Sequence, residues 1–389
     1  MSASSASSLP LASRLPPLIL GTATFNSLYN TDPYALPTTA IVHRALALGI
    51  RAFDTSPYYG PAESLLGAAL SCIPPSNALP RKDLFLLTKC GREGASSFDY
   101  SPAWVRQSVS RSLERLRTTY LDVVYCHDVE FVTPAEVLAA VQTLRELRTE
   151  PGHTVRFVGI SGYPLPLLCE LAELVFERTG EPLDVVMSYC HFTLQNVALA
   201  TQGLERLREA GVGVVINASL LAMGLLREKG VPEGSLGDWH PAPTALRGKC
   251  REVAEWCKGE GERLEVLALR WALGEWALAG REAGGYGPMI GGQKGIVGAG
   301  TEDEPGHGSK VGVSVIGVSY LEELEETMRE WDGAVDGLGA EEQDGGLESR
   351  KEESLRRMKE VRERGAVVQR MLGEWRDYSW KSPPEDYKR

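Results

Sequence analysis

The chain has 389 residues, with 41 Lys and Arg against 52 Asp and Glu for a formal charge of -11, and it is 43% hydrophobic and 24% charged. Such a length holds one large α/β core or two ordinary ones, and nowhere does it show the run of roughly 18 apolar residues that a membrane span requires. The acidic balance speaks against a nucleic-acid or anionic-membrane partner, which would normally be met by a basic face.

In chain order, residues 1–14 form a serine-rich start that lacks the basic segment and long apolar run of a secretory signal, and a disordered tail is expected there. Short runs of Val, Ile, Leu and Phe then alternate with longer segments of helical periodicity. The strands expected are 18–24, 50–56, 84–90, 122–127, 155–161, 184–190, 213–219 and 313–319. Helical spacing of Leu, Val and Ala falls at 38–49, 103–117, 133–147, 165–179 and 250–273. Eight such units predict an α/β fold, a closed (β/α)8 TIM barrel over 15–332. A doubly wound sheet would carry a G-x-G-x-x-G turn after an early strand. None of the βα turns has one, and "GGYGPMIGG" (284–292) follows a helix inside a glycine-rich insertion, 278–311. A second flexible loop is expected at 333–350, then a C-terminal helix and tail over 351–389. The seven cysteines, at 72, 90, 126, 169, 190, 250 and 257, are odd in number and lack CxxC spacing. They read as free thiols of a cytoplasmic protein, with neither a disulfide framework nor a metal site.

In such a barrel the chemistry gathers at the C-terminal ends of the strands. The second expected strand ends in Asp54 with Tyr59 five residues on, the third in Lys89 and the fourth in His127. Period-two alternation puts Asp54 on the side of Ala52, Lys89 on that of Leu87 and His127 on that of Tyr125, so all three point into one mouth. Each has a plain structural reading: a turn-forming aspartate, a loop aromatic, a snorkelling lysine, a packed histidine. Their joint occurrence at three successive strand ends is better explained by chemistry. A tyrosine with an ordinary pKa near 10 exchanges protons at neutral pH only where a neighbouring cation favours the phenolate. Lys89 is placed to supply that cation, Asp54 to hold it, and His127 to orient a substrate oxygen. The set suits hydride transfer between an alcohol or carbonyl and a nicotinamide.

The segments "LGIRAFDTSPYYGPAES", "LLTK" and "VRQSVSRSLERLRTTYLDVVYCH" resemble, in order, motifs of the aldo-keto reductases. The resemblance covers about 15–275 and resumes near 311–330. It implies that Tyr59 is the general acid/base, supported by Lys89, Asp54 and His127. "CHDVEF", "GISGYPL", "SYCHFTL" and "SLLAMGLL" are similar to the branch of L-galactose and D-arabinose 1-dehydrogenases, which oxidise an aldose at C1 to the lactone. In that reading Tyr58, Asp128 and Glu130 face a small-molecule aldose or aldehyde substrate; as loop residues, the two carboxylates also read simply as solvated.

The resemblance further implies a nicotinamide held by Thr22, Asp54, Ser161, Asn217, Ser219, Leu220, Gly224, Gly317, Ser319, Glu323 and Glu326. Two departures stand out. Ser161 is followed by Gly162 where most of the family has Asn, and the tyrosine that stacks under the nicotinamide falls on Asn217. After the eighth strand, "IGVSYLEELEETM" places Glu323 at the family's arginine position, with no base before Arg329. Carboxylates repel a 2′-phosphate and accept from ribose hydroxyls, so NAD is expected over NADP. A solvated acidic helix start is the structural alternative. For the whole chain the alternatives are a general aldehyde or ketone reductase and a nicotinamide-sensing subunit without turnover.

Overall fold

A computed structural model describes residues 9–74, 79–286, 310–341 and 349–384. The first β/α units are β1 (Leu18–Gly21), α1 (Thr38–Ala47), β2 (Ala52–Asp54), α2 (Ala62–Ser71), β3 (Phe85–Cys90), α3 (Pro102–Leu116), β4 (Leu121–His127) and α4 (Pro134–Thr149). There follow β5 (Val155–Gly162), α5 (Leu165–Thr179), β6 (Val185–Tyr189), α6 (Leu204–Glu209) and β7 (Val214–Ala218). Two antiparallel helices, α7 (Thr244–Gly259) and α8 (Leu264–Ala279), precede the short strands β8 (Gly285–Tyr286) and β9 (Lys310–Val311) and then β10 (Val313–Gly317). Strands β1–β7 and β10 close a parallel barrel in the order β1-β10-β7-β6-β5-β4-β3-β2. All eight expected strands are therefore present, most trimmed to their hydrogen-bonded centres, with β4 and β5 each one residue longer at one end.

Local chemistry sets the boundaries. Ser101 caps α3 by accepting from the Trp104 amide, with Pro102 at its first position. Thr133 and Glu136 close a reciprocal capping box at α4. Gly180 ends α5 at φ 71°, a left-handed value that costs a glycine nothing. The continuous helix expected at 250–273 is broken at Gly261, where φ is +72°, so that α7 and α8 pack as a pair.

Alternate residues of the strands fill the barrel: Ile19, Ala52, Leu87, Tyr125, Val185 and Ile216 belong to one buried inner cluster. The floor corrects the expectation of a disordered tail over 1–14. Residues Leu11–Ser13 form a helical turn, Leu11 and Leu15 are buried in the inner cluster, and the Arg14 guanidinium lies 5.6 Å from the ring centre of Phe85. Residues 1–8 lie outside the described residues.

The second correction concerns 333–350. Helix α9 (Leu321–Glu341) runs on to 341 because Leu324, Met328, Trp331, Val335 and Leu338 form one buried stripe. Residues 342–348 lie outside the described residues, as do 287–309 of the glycine-rich insertion. Helix α10 (Ser349–Leu372) buries Met358, Val361, Val368 and Leu372, as expected of a C-terminal helix. Beyond it, residues 373–384 fold back over the loops that follow β5 and β6. No described helix is long and apolar enough to cross a membrane.

Candidate active site

Asp54, Lys89 and His127 stand at the ends of β2, β3 and β4, in register with inward-facing neighbours. The Lys89 Nζ donates to Asp54 Oδ1 at 2.6 Å and to the Thr55 carbonyl at 2.9 Å, with both side chains buried. Burial raises the Asp54 pKa and the Lys89 cation opposes that rise. The second oxygen, Oδ2, is buried without a hydrogen-bond partner.

The turn Thr55 to Tyr59 brings the tyrosine back over this pair. Its backbone closes through the Tyr59 amide donating to the Ser56 carbonyl at 3.0 Å. The Tyr59 ring is half-buried, its centroid 4.9 Å from Lys89 Nζ and 5.8 Å from the His127 ring, edge to face at 88°. Its hydroxyl makes no hydrogen bond with any described residue. The four groups thus share one mouth with the phenol oxygen open. One electrostatic expectation is corrected: burial, reinforced by Asp54, pushes the Tyr59 pKa well above 10. Lys89 is spoken for by Asp54, and the phenol is the resting form. Burial also holds His127 down at about 3, so its ring is neutral.

Above the mouth lies a cluster that sequence reasoning met only in part. Arg92, in the loop after β3, sits 3.8 Å from the Tyr58 ring centre, donates to the Tyr58 hydroxyl at 3.1 Å and forms an ion pair with Asp128. Asp128 is buried in the left-handed region at φ 55° and lies 3.6 Å from His127 Nε2. Burial works against its charge, but His127 and the Arg92 guanidinium together outweigh it and the pKa is lowered. Glu130 is equally buried and accepts from the Tyr163 amide and the Ser382 hydroxyl, each at 3.1 Å. Burial and the Asp128 charge raise its pKa to about 8, making it a neutral acid at pH 7. Neither carboxylate is the solvated loop residue that the sequence also allowed. A Cβ at Gly162 would lie 2.6 Å from Glu130 Oε2, so the carboxyl fills the space of the side chain that Gly162 lacks.

Arg92, Ser56, Tyr189 and the C-terminal segment were missed. The Tyr189 hydroxyl reaches Asp128 Oδ1 at 3.5 Å from the inner side of β6. Trp380 stacks on Tyr163 at 4.7 Å and 10°. For Ser56 and Tyr189 the signal was present, as polar residues on the inner turn and inner face. For the C-terminal segment, 252 residues from Glu130 at Ser382, there was none.

Flanking the mouth, Thr22 is buried and donates to the Asp54 carbonyl at 3.2 Å, and Ser161 stands beside His127 as its register partner on β5. Asn217 does not face the mouth. The alternation of β7 turns it outward, where its amide donates to the Phe192 carbonyl at 2.8 Å, and the inward residue at the strand end is Ala218. The loop that follows has left-handed backbone at Ser219, Ala222, Met223 and Gly224. Leu220 buries its side chain in the outer apolar layer, and a side chain at Gly224 would meet open space. Gly317 is exposed at the end of β10, and Ser319 is tied by its amide to Glu323 and by its hydroxyl to Asn30. No base precedes Arg329 within this segment, but the acidic start of α9 is not bare, because arginines from other elements reach it. Arg227 pairs with Glu323 at 3.1 Å, Arg44 with Glu325 at 2.9 Å, and Arg263 with Glu326.

The sequence profile of the aldo/keto reductase family matches residues 17–335. The chain is similar to the D-arabinose 1-dehydrogenase of Saccharomyces cerevisiae, 42% identical over 276 residues that span 70% of this chain and 78% of that one. It is 40% identical to the L-galactose dehydrogenase of Arabidopsis thaliana over 237 residues, 60% of this chain and 69% of the other. Among solved structures, the glycerol dehydrogenase of Gluconobacter oxydans superposes with a TM-score of 0.55, 94% of each chain covered and 17% identity, a likeness of fold.

Proposed function

The chain belongs to the aldo/keto reductase family, and from that premise we propose that it is an NAD-dependent aldose 1-dehydrogenase, oxidising a sugar of the D-arabinose, L-galactose or L-fucose type at C1 to the lactone. The observation that carries this reading is the convergence of Tyr59, His127 and the Lys89–Asp54 pair beneath a polar cluster of the half-buried Tyr58 and Arg92 and the buried Asp128. An open phenol beside a neutral imidazole suits a proton transfer at one oxygen of a small polar substrate. A buried carboxylate with partners on all sides suits the recognition of hydroxyls better than of an apolar carbonyl compound, which favours the sugar over the general aldehyde or ketone reductase.

The mouth fits a nicotinamide dinucleotide. Asp54 Oδ2 is an orphaned buried acceptor that a ribose hydroxyl would satisfy. Thr22, Asp54, Ser161, Ser219, Leu220, Gly224, Gly317, Ser319 and Glu323 are the residues that would hold it. When bound, it supplies the hydride acceptor. In oxidation Tyr59, deprotonated, takes the proton of the C1 hydroxyl, while His127 orients that oxygen and Lys89, fixed by Asp54, stabilises the phenolate. NAD over NADP is supported by Glu323, whose carboxylate would repel a 2′-phosphate and which holds Arg227 in an ion pair at 3.1 Å. Reduced cysteines at all seven positions support a cytoplasmic setting.

The test is a panel of aldoses and simple aldehydes assayed with both nicotinamides. Lactone and NADH from at least one of the three sugars, with NAD the more efficient acceptor and the preference reduced roughly tenfold in Glu323→Arg, is the expected result. Turnover of aldehydes alone would move the chain to the general reductases.

A further inference from the structure

We infer that Ser56 is the positioning residue that fixes the tautomer of His127, so that the ring presents Nε2–H to the mouth. The inference rests on the reading above only in taking His127 as the group that meets the substrate oxygen.

Ser56 is fully buried two residues after Asp54. Its Oγ lies 3.1 Å from the Tyr58 amide and 3.1 Å from His127 Nδ1. The amide can only donate, so Ser56 accepts from it, and the hydroxyl proton is left for its other neighbour. Were Nδ1 protonated, the Ser56 hydrogen would be buried with no acceptor among the described residues to receive it. With Nδ1 bare, the Ser56 hydroxyl donates to it while accepting from the Tyr58 amide.

The other end of the ring gives the same answer independently. His127 Nε2 faces Asp128 Oδ2 at 3.6 Å, and Asp128 is held as a carboxylate by its ion pair with Arg92. A bare nitrogen lone pair there would oppose a negative oxygen, whereas N–H is attracted to it. The separation is too long for a direct hydrogen bond, so the proton stays available to an oxygen entering the mouth. The neutral ring has one such proton to give, and the edge-to-face packing of Tyr58 at 5.9 Å and Tyr59 at 5.8 Å keeps the ring from turning over. Ser56 also accepts, through its carbonyl, from the Tyr59 amide. One residue therefore sets both the turn that carries the tyrosine and the donor face of the histidine.

The experiment reads the tautomer directly, by long-range proton–nitrogen NMR correlation on the full chain without substrate, with His127 assigned by comparison with His127→Gln. The wild type is expected to carry its proton on Nε2. Ser56→Ala is expected to populate the Nδ1–H form and to lose roughly ten- to hundredfold in kcat while nicotinamide KM stays within about twofold, and Ser56→Thr, which keeps the hydroxyl, to restore both. A wild-type proton on Nδ1 overturns the proposal, as does a Ser56→Ala protein with unchanged tautomer and unchanged kcat. If Ser56→Ala does not fold, the wild-type spectrum decides alone. An Nε2–H signal in a protein that oxidises no aldose would uphold the tautomer and sink the sugar reading.

Discussion

Glu130 shows how far a side chain can depart from its type once buried. Its carboxyl, raised to about 8, keeps a proton that the unfolded chain releases near the ordinary Glu value of about 4.3. The folded state therefore binds the extra proton between those two values, and stability falls as pH rises from about 5 to about 8, by up to about 1.4 kcal/mol per unit. Glu130→Gln keeps the shape and loses the titration. Thermal melts across that range should show the variant gaining on the wild type as pH rises, and parallel curves would contradict the assignment. Tyr59 titrates with the opposite consequence for function. Oxidation needs the phenolate, and burial with Asp54 holds the phenol, so kcat for oxidation should climb with pH through the alkaline range while carbonyl reduction declines. A pH profile that is flat in both directions would remove Tyr59 from the proton path.

At the scale of elements, the strands and their polar ends were legible because period two and burial are local properties: Asp54, Lys89 and His127 each follow an inward apolar residue by two. The resemblance alone puts Asn217 in the mouth, whereas the alternation set by Val214, Ile216 and Ala218 on the inner side turns it outward. Its carboxamide instead satisfies the Phe192 carbonyl. Long-range pairing was not legible at all. The carboxylates opening α9 read as a bare acidic face, yet Arg44, Arg227 and Arg263 arrive from α1, the loop after β7 and the turn before α8.

The C-terminal segment is the clearest case. Gln195 donates to the Trp375 and Tyr378 carbonyls at 2.6 and 3.0 Å, Asn196 donates to Ser379 Oγ at 3.0 Å, and Trp380 stacks on Tyr163, whose amide holds Glu130. The segment is thereby part of the wall behind the polar cluster. Trp380→Ala should cost about 3 kcal/mol in stability through the cavity it leaves, and should raise the aldose KM more than it lowers kcat. Denaturant melts and steady-state kinetics read the two effects separately, and a variant unchanged in both would show the segment to be an inert cover.

For the molecule as a whole, a barrel floored by Leu11 and Leu15 and walled by helices leaves its polar chemistry at one end. Rigid strands hold Asp54, Lys89 and His127, and a short turn carries Tyr59. The arrangement costs stability in buried charges and a raised phenol, and it makes sense as a place where one proton moves beside one hydride. The most direct test is the rate of NADH formation by Tyr59→Phe, beside the wild type, with NAD and the best aldose of the panel. The variant loses one oxygen from an open position and should fold normally. A fall in kcat on the order of a hundredfold or more, with NAD binding unchanged, is the predicted result, and a rate within a few-fold of the wild type would contradict the account.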